Sequence, residues 1–131
     1  MFVDASAIIA IIIGEPERLA FEARLEQADR IYTSPLAIYE AVMGVARIRR
    51  LSIGDAQSAL DRFVSDVSAE LVPITPEIGR AAINAFDRFG RGRHPARLNM
   101  GDCFAYACAR TLGVPLLFKG DDFAQTDISL G

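Results

Sequence analysis

The chain has 131 residues, which allows one domain with a real core and is too short for two. Half of it is hydrophobic, so a compact α or α/β domain is expected rather than a disordered chain. A net charge of −3 excludes a uniformly basic nucleic-acid binder, and any contact with nucleic acid has to come from a local concentration of positive charge.

Short β-like runs alternate with helical patterns along the whole chain, which predicts an α/β fold with a parallel sheet. Met1–Val3 reads as the first strand and stops on Asp4. The apolar run Ala7–Ile13 that follows is ambiguous. Its β-branched residues suit a strand, and its all-round apolar character suits a short buried helix. It is too short to span a membrane and lacks the basic flank of a signal peptide, so a soluble cytoplasmic protein is expected. Pro16 opens a helix towards Ala28, and Arg30–Thr33 is the second strand.

Ser34 and Pro35 provide an N-cap and a first helical position for a helix running to Ile48. Ala56, Leu60, Phe63, Val64 and Val67 keep the 3.6-residue period of a further helix. Glu70–Ile74 is the third strand. Thr75, Pro76 and Glu77 start a helix whose apolar face is Ile78, Ala82, Ala85, Phe86 and Phe89, with Gly90 as its stop. Asn99 caps the last long helix, Met100 to Leu112, which ends at Gly113. Pro115–Phe118 is the fourth strand, and Asp127–Leu130 is a weak fifth. Cys103 and Cys108 lie about 140° apart around their helix, so they cannot pair, and they read as small hydrophobes in a reducing compartment.

Four acidic residues stand in places that a core would avoid. Asp4 ends the first strand, where open parallel sheets bind ligands, although it also suits the cap of the next helix. Glu40 lies on a helical face whose neighbours, Leu36, Ala37, Met43 and Gly44, offer no cation. Asp102 is the third residue after the Asn99 cap, a position that the helix dipole and a capping box both favour. Asp121 and Asp122 follow the fourth strand in a Gly-Asp-Asp turn. If these acids converge, two carboxylates about 5 Å apart repel by roughly 3 kcal/mol at an effective dielectric of 20. A cluster of them must bind a divalent cation or take up protons. Oxygen ligands without a His or Cys set point to Mg²⁺ or Mn²⁺ rather than zinc. Arg91, Arg93, His94 and Arg97 crowd ahead of Asp102 and read either as a solvated loop or as a basic rim that holds phosphates. Arg47, Arg49 and Arg50, at the end of the Pro35 helix, suit its dipole and are further candidates.

Read together, Met1 to Ala7, Tyr39 to Val42, Leu98 to Ala107 and Leu116 to Phe123 carry a resemblance. In this order and at this length the chain resembles a PIN-domain ribonuclease, and closely a VapC toxin of a bacterial type II toxin–antitoxin pair. The resemblance covers essentially the whole chain, residues 1 to 131, as a single domain. It implies a three-layer α/β fold with a parallel sheet of four to five strands, order 3-2-1-4-5, flanked by helices. It implies an acidic quartet of Asp4, Glu40, Asp102 and Asp121, with Asp122 as the other candidate for the fourth place. Asp4 and Asp102 are then direct metal ligands, and Ser6 is the small hydroxyl residue near the metal. Lys119 stands where many PIN sequences carry Ser or Thr, and it either helps to hold the metal, contacts phosphate or neutralises acid. The implied activity is Mg²⁺-assisted hydrolysis of RNA, and the implied partners are a VapB-type antitoxin and a second copy of the chain. Competing readings are a metal nuclease acting on DNA and a degenerate nucleic-acid-binding module. A receiver-like signalling module needs an acid at the end of the third strand, where Val72-Pro73-Ile74-Thr75 stands instead.

Overall fold

The computed structural model describes all 131 residues. Four two-residue strands form a parallel sheet in the order β3-β2-β1-β4: β1 is Phe2–Val3, β2 Tyr32–Thr33, β3 Glu70–Leu71 and β4 Leu116–Leu117. Six helices surround it: α1 Ala5–Ile13, α2 Arg18–Gln27, α3 Pro35–Arg49, α4 Ile53–Asp66, α5 Pro76–Phe89 and α6 Met100–Leu112. The sheet is narrow, but its ladder is continuous. Phe2 N donates to Pro115 O at 2.8 Å, Tyr32 N to Met1 O at 2.8 Å, and Val72 N to Thr33 O at 2.8 Å.

The expected fifth strand is reduced to a single bridge. Leu130 pairs with Leu116, through Leu116 N to Ser129 O at 2.9 Å and Gly131 N to Leu116 O at 2.7 Å. The rest of that segment is held by side chains: Tyr106 Oη donates to Asp127 Oδ1 at 2.5 Å, and Arg88 pairs with Asp127 Oδ2 at 3.1 Å.

Alternation along the strands sorts the core into two layers. Phe2 and Leu116 face one cluster of 18 buried residues, built mainly from α5 and α6. Val3 and Leu117 face the other, of 16, built from α1, α2, α3 and α4. This is the three-layer arrangement that the family resemblance implies. Cys103 and Cys108 are both free and buried among these residues, and burial pushes both thiols up to about 11.

The ambiguous Ala7–Ile13 segment is helical. Asp4 caps its start and Gly14, at φ 75°, closes its end in the left-handed region that glycine tolerates. Ile8 and Ile11 are buried and Ile9, Ile12 and Ile13 partly buried in the layer that α1 forms with α2, α3 and α4, so caps and tertiary burial outweigh their β propensity. The consequence for the site is direct. The chain turns from strand to helix on Asp4, and the carboxylate is left at the strand end, at the mouth of the sheet.

Candidate metal and phosphodiester site

Asp4, Glu40 and Asp102 meet in one cleft of about 510 Å³, with Ser6, Tyr39, Arg47 and Asn99 around them. Each acid arrives on a different element. Asp4 stands between β1 and α1, where its backbone N donates to Leu117 O at 3.0 Å and so ties it to β4. The residue is 6% exposed, and Oδ2 accepts from Ser6 N at 3.1 Å and Ser6 Oγ at 2.6 Å. Burial pushes its pKa up, against the pull of the Ser6 hydrogen bonds. Ser6 Oγ also accepts from Lys119 N at 3.0 Å, so one hydroxyl joins Asp4 to the loop after β4.

Asp102 sits in the first turn of α6 inside a complete capping box. Asn99 Oδ1 accepts from Asp102 N at 2.9 Å, and Asp102 Oδ2 accepts from Asn99 N at 3.1 Å. Its pKa is pushed up to about 6, first by burial and then by the charges of Asp4 and Asp122, while the Asn99 N–H and Arg91 pull it down. Glu40 comes from the second turn of α3. Burial, followed by the charges of Asp4 and Asp102, pushes it up to about 7. Gly101 is buried against it, and a Cβ there would collide with the Glu40 carboxylate.

These shifts show three carboxylates that feel one another in a poorly solvated place. No three acids close on a single point as a finished ligand cage. A hard cation such as Mg²⁺ keeps several waters and takes only one or two carboxylates directly, so it does not require such a cage. Asp4 and Asp102 are oriented by their caps, and a carboxylate with one oxygen engaged retains acceptor capacity. The all-oxygen donor set fits a hard cation such as Mg²⁺ or Mn²⁺, which Asp4 and Asp102 would hold.

The remaining candidates are placed less uniformly. Asp121 is exposed in the loop after β4 and does not line the cleft. Asp122, its neighbour, is the one whose charge reaches Asp102. The Lys119 ammonium pairs with Glu15 and Glu17 rather than with any cleft acid. Arg91 reaches Asp102 electrostatically. Arg93 pairs with Asp87 at 3.1 Å and lies 5.7 Å over the Phe86 ring. Arg97 is exposed, at φ 53°. His94 is engaged in its own loop: Nδ1 accepts from Ala96 N at 3.0 Å, and the ring meets Phe89 edge-on at 5.1 Å. Tyr39 lines the cleft and was not singled out by sequence reasoning. The available signal was the spacing of Tyr39, Met43 and Arg47, four apart along the helix that bears Glu40.

The PIN domain family model matches residues 1–129. A VapC ribonuclease of Rhizobium meliloti is 42% identical over 97% of this chain and 98% of its own length. Ribonuclease VapC30 of Mycobacterium tuberculosis is 40% identical over 98% and 96%. The chain belongs to the VapC group of PIN-domain proteins. Solved structures agree on the fold of this VapC-group chain. Mycobacterium tuberculosis VapC20, a Sarcin-Ricin loop cleaving toxin, superposes with a TM-score of 0.77 at 17% identity, over 97% of this chain and 95% of that one. VapBC2 from Rickettsia felis, bound to a DNA fragment from their promoter, gives 0.75 at 15% identity, over 99% and 96%.

Proposed function

We propose that this VapC-group chain is a Mg²⁺-dependent endoribonuclease that hydrolyses RNA phosphodiester bonds as the toxin of a VapBC-type pair. The observation that carries the reading is the convergence of Asp4, Glu40 and Asp102 in one cleft, with Asp102 and Glu40 pushed up to about 6 and about 7. An acidic cleft of this kind repels an RNA phosphate unless a cation occupies it. When bound, the divalent ion supplies charge stabilisation at the scissile phosphate and an ionised water at neutral pH. The protein's own part is positional. Ser6 fixes the Asp4 carboxylate, Asn99 fixes that of Asp102, and Gly101 leaves room for that of Glu40. Asp122, or Asp121 beside it, provides the fourth negative charge at the rim.

The same reading names the partners. A VapB-type antitoxin blocks the cleft with a cationic side chain set among the acids. A hollow of about 730 Å³ between α1, α2 and α4, lined by Ile11, Leu25 and Phe63 with Arg18 and Glu22 at its rim, suits an amphipathic helix of such a partner. Solved relatives in complex with their antitoxins support this partner class. The working form is a homodimer in the cytoplasm, and no helix is long and apolar enough to cross a membrane.

Purified protein should cut single-stranded RNA in the presence of Mg²⁺ and stop when EDTA is added. Asp4→Asn should abolish the cutting while leaving a folded protein, because it removes a ligand charge and relieves repulsion in the metal-free cleft. Parent-rate cleavage by Asp4→Asn, or equal cleavage of DNA of the same sequence, would defeat the reading.

A further inference from the structure

α3 carries a second stripe beside Glu40. Tyr39, Met43 and Arg47 recur every four residues, so they lie along one side of the helix, and all three line the acidic cleft. From Tyr39 to Arg47 the stripe runs about 12 Å along the helix axis. The three tyrosines differ sharply in exposure: Tyr32 is 8% and Tyr106 4% exposed, whereas Tyr39 is 62% exposed. Tyr32 and Tyr106 belong to the core, and Tyr106 binds Asp127. Tyr39 holds an aromatic face open to solvent directly beside a cleft acid. Arg47 is the one cation lining the cleft, is exposed, and joins none of the ion pairs of the molecule. A single exposed aromatic is ordinary on a protein surface. Its place in the cleft, followed by an apolar residue and then an unpaired guanidinium, is what sets this one apart.

We propose that this stripe is the substrate track, with the Tyr39 ring stacking on a base next to the scissile phosphate and Arg47 holding a phosphate further along the strand. The inference rests on the ribonuclease reading and assigns to Tyr39 and Arg47 the holding of the unpaired strand. Bases inside a duplex are already stacked on one another, so an aromatic platform is reachable only by a base in a loop, bulge or single strand. Stacking is tolerant of sequence, so Tyr39 supplies affinity and register rather than a base code. Arg47 stands about 10 Å along the helix axis from Glu40, where its positive charge attracts the strand further along the cleft.

The test uses the Asp4→Asn protein, so that binding is measured without cutting, and a fluorescein-labelled single-stranded RNA oligonucleotide beside a duplex of the same sequence. Tyr39→Ala should weaken single-strand binding by about tenfold or more and leave the salt slope alone. Tyr39→Phe should restore it. Arg47→Ala should lower the slope of log K against log salt by roughly 0.7. The chain contains no tryptophan, so Tyr39→Trp provides a lone indole that can be excited apart from the tyrosines, and stacking should quench it when the oligonucleotide binds. Melting temperatures matched to the parent confirm that the variants are folded. Parent-like binding by Tyr39→Ala together with unquenched Tyr39→Trp emission would overturn the platform while leaving the ribonuclease reading intact. So would duplex binding as tight as that of the single strand, or a loss in Tyr39→Ala that tracks dissociation of a dimer in sedimentation. A parent protein that neither binds nor cuts single-stranded RNA would overturn the ribonuclease reading, and the track with it.

Discussion

Asp4 and Asp102 each do two things that sequence reading treats as alternatives. Each caps a helix, and each stands in the acidic cleft. The two roles are compatible because a capping hydrogen bond both orients a carboxylate and favours its charged form, which is the form a cation needs. Glu40 has no such partner, and burial beside Asp4 and Asp102 pushes it up to about 7 against an ordinary 4.5. In the metal-free protein, folded Glu40 therefore holds its proton more tightly than the unfolded chain does. The stabilisation from that proton is fully present below about pH 4.5 and is lost as the pH rises through about 7. Glu40→Gln is neutral throughout. In EDTA it should melt above the parent at pH values beyond about 7 and together with it below about 4.5, as read by thermal scans across that range. A constant difference between the two proteins at all pH values would mean that Glu40 does not titrate in this window.

At the level of elements, the N-terminal turn of α6 is built around α3. Gly101 lies between the Asn99 cap and Asp102, and its missing side chain is the space that the Glu40 carboxylate occupies. Gly101→Ala puts a better helix former in the first turn, and the atoms it meets are the free end of a flexible side chain. Melting temperature should hold or rise slightly, while Mg²⁺-dependent cleavage should fall by about tenfold or more, because a misplacement of about 1 Å is costly in catalysis. Retained cleavage would show that the position of Glu40 is immaterial. Glycine at this point was invisible to pattern reading, since nothing local to α6 requires it and its reason lies on another helix. The same limit explains α1. Its isoleucines fit two local structures, and only the Gly14 turn and the enclosure by α3 select the helix. By contrast, α3, α5 and α6 carry Ser34, Thr75 and Asn99 as caps, and all three begin where these residues indicate. Asp121 and Asp122 could not be told apart as a dipeptide. The turn that places Asp122 at the start of the short 3-10 helix Phe123–Gln125 gives it the closer electrostatic tie to Asp102.

Across the whole molecule, two apolar layers of similar size clamp a sheet only two residues deep per strand, so the strand ends that carry the site are held by packing from both sides. The order of those strands was not readable from periodicity and came from family resemblance, because parallel pairing joins residues far apart in sequence, such as Phe2 with Leu116. The cost of gathering acids in such a scaffold falls on the metal-free fold, and a bound cation should remove it. An ion that binds only the folded state adds RT ln(1 + [L]/Kd), about 2.7 kcal/mol at a hundredfold excess over Kd. For a domain of this size that corresponds to a rise in melting temperature on the order of 10 °C. Titrating MgCl₂ or MnCl₂ against NaCl at matched ionic strength separates specific binding from screening of the net −3 charge. The shift should grow with the logarithm of divalent concentration and should be smaller in Glu40→Gln and in Asp102→Asn. A melting temperature indifferent to millimolar Mg²⁺ and Mn²⁺ would leave Asp4 and Asp102 as helix caps alone. The acidic cleft would then be relieved by protons rather than by a cation.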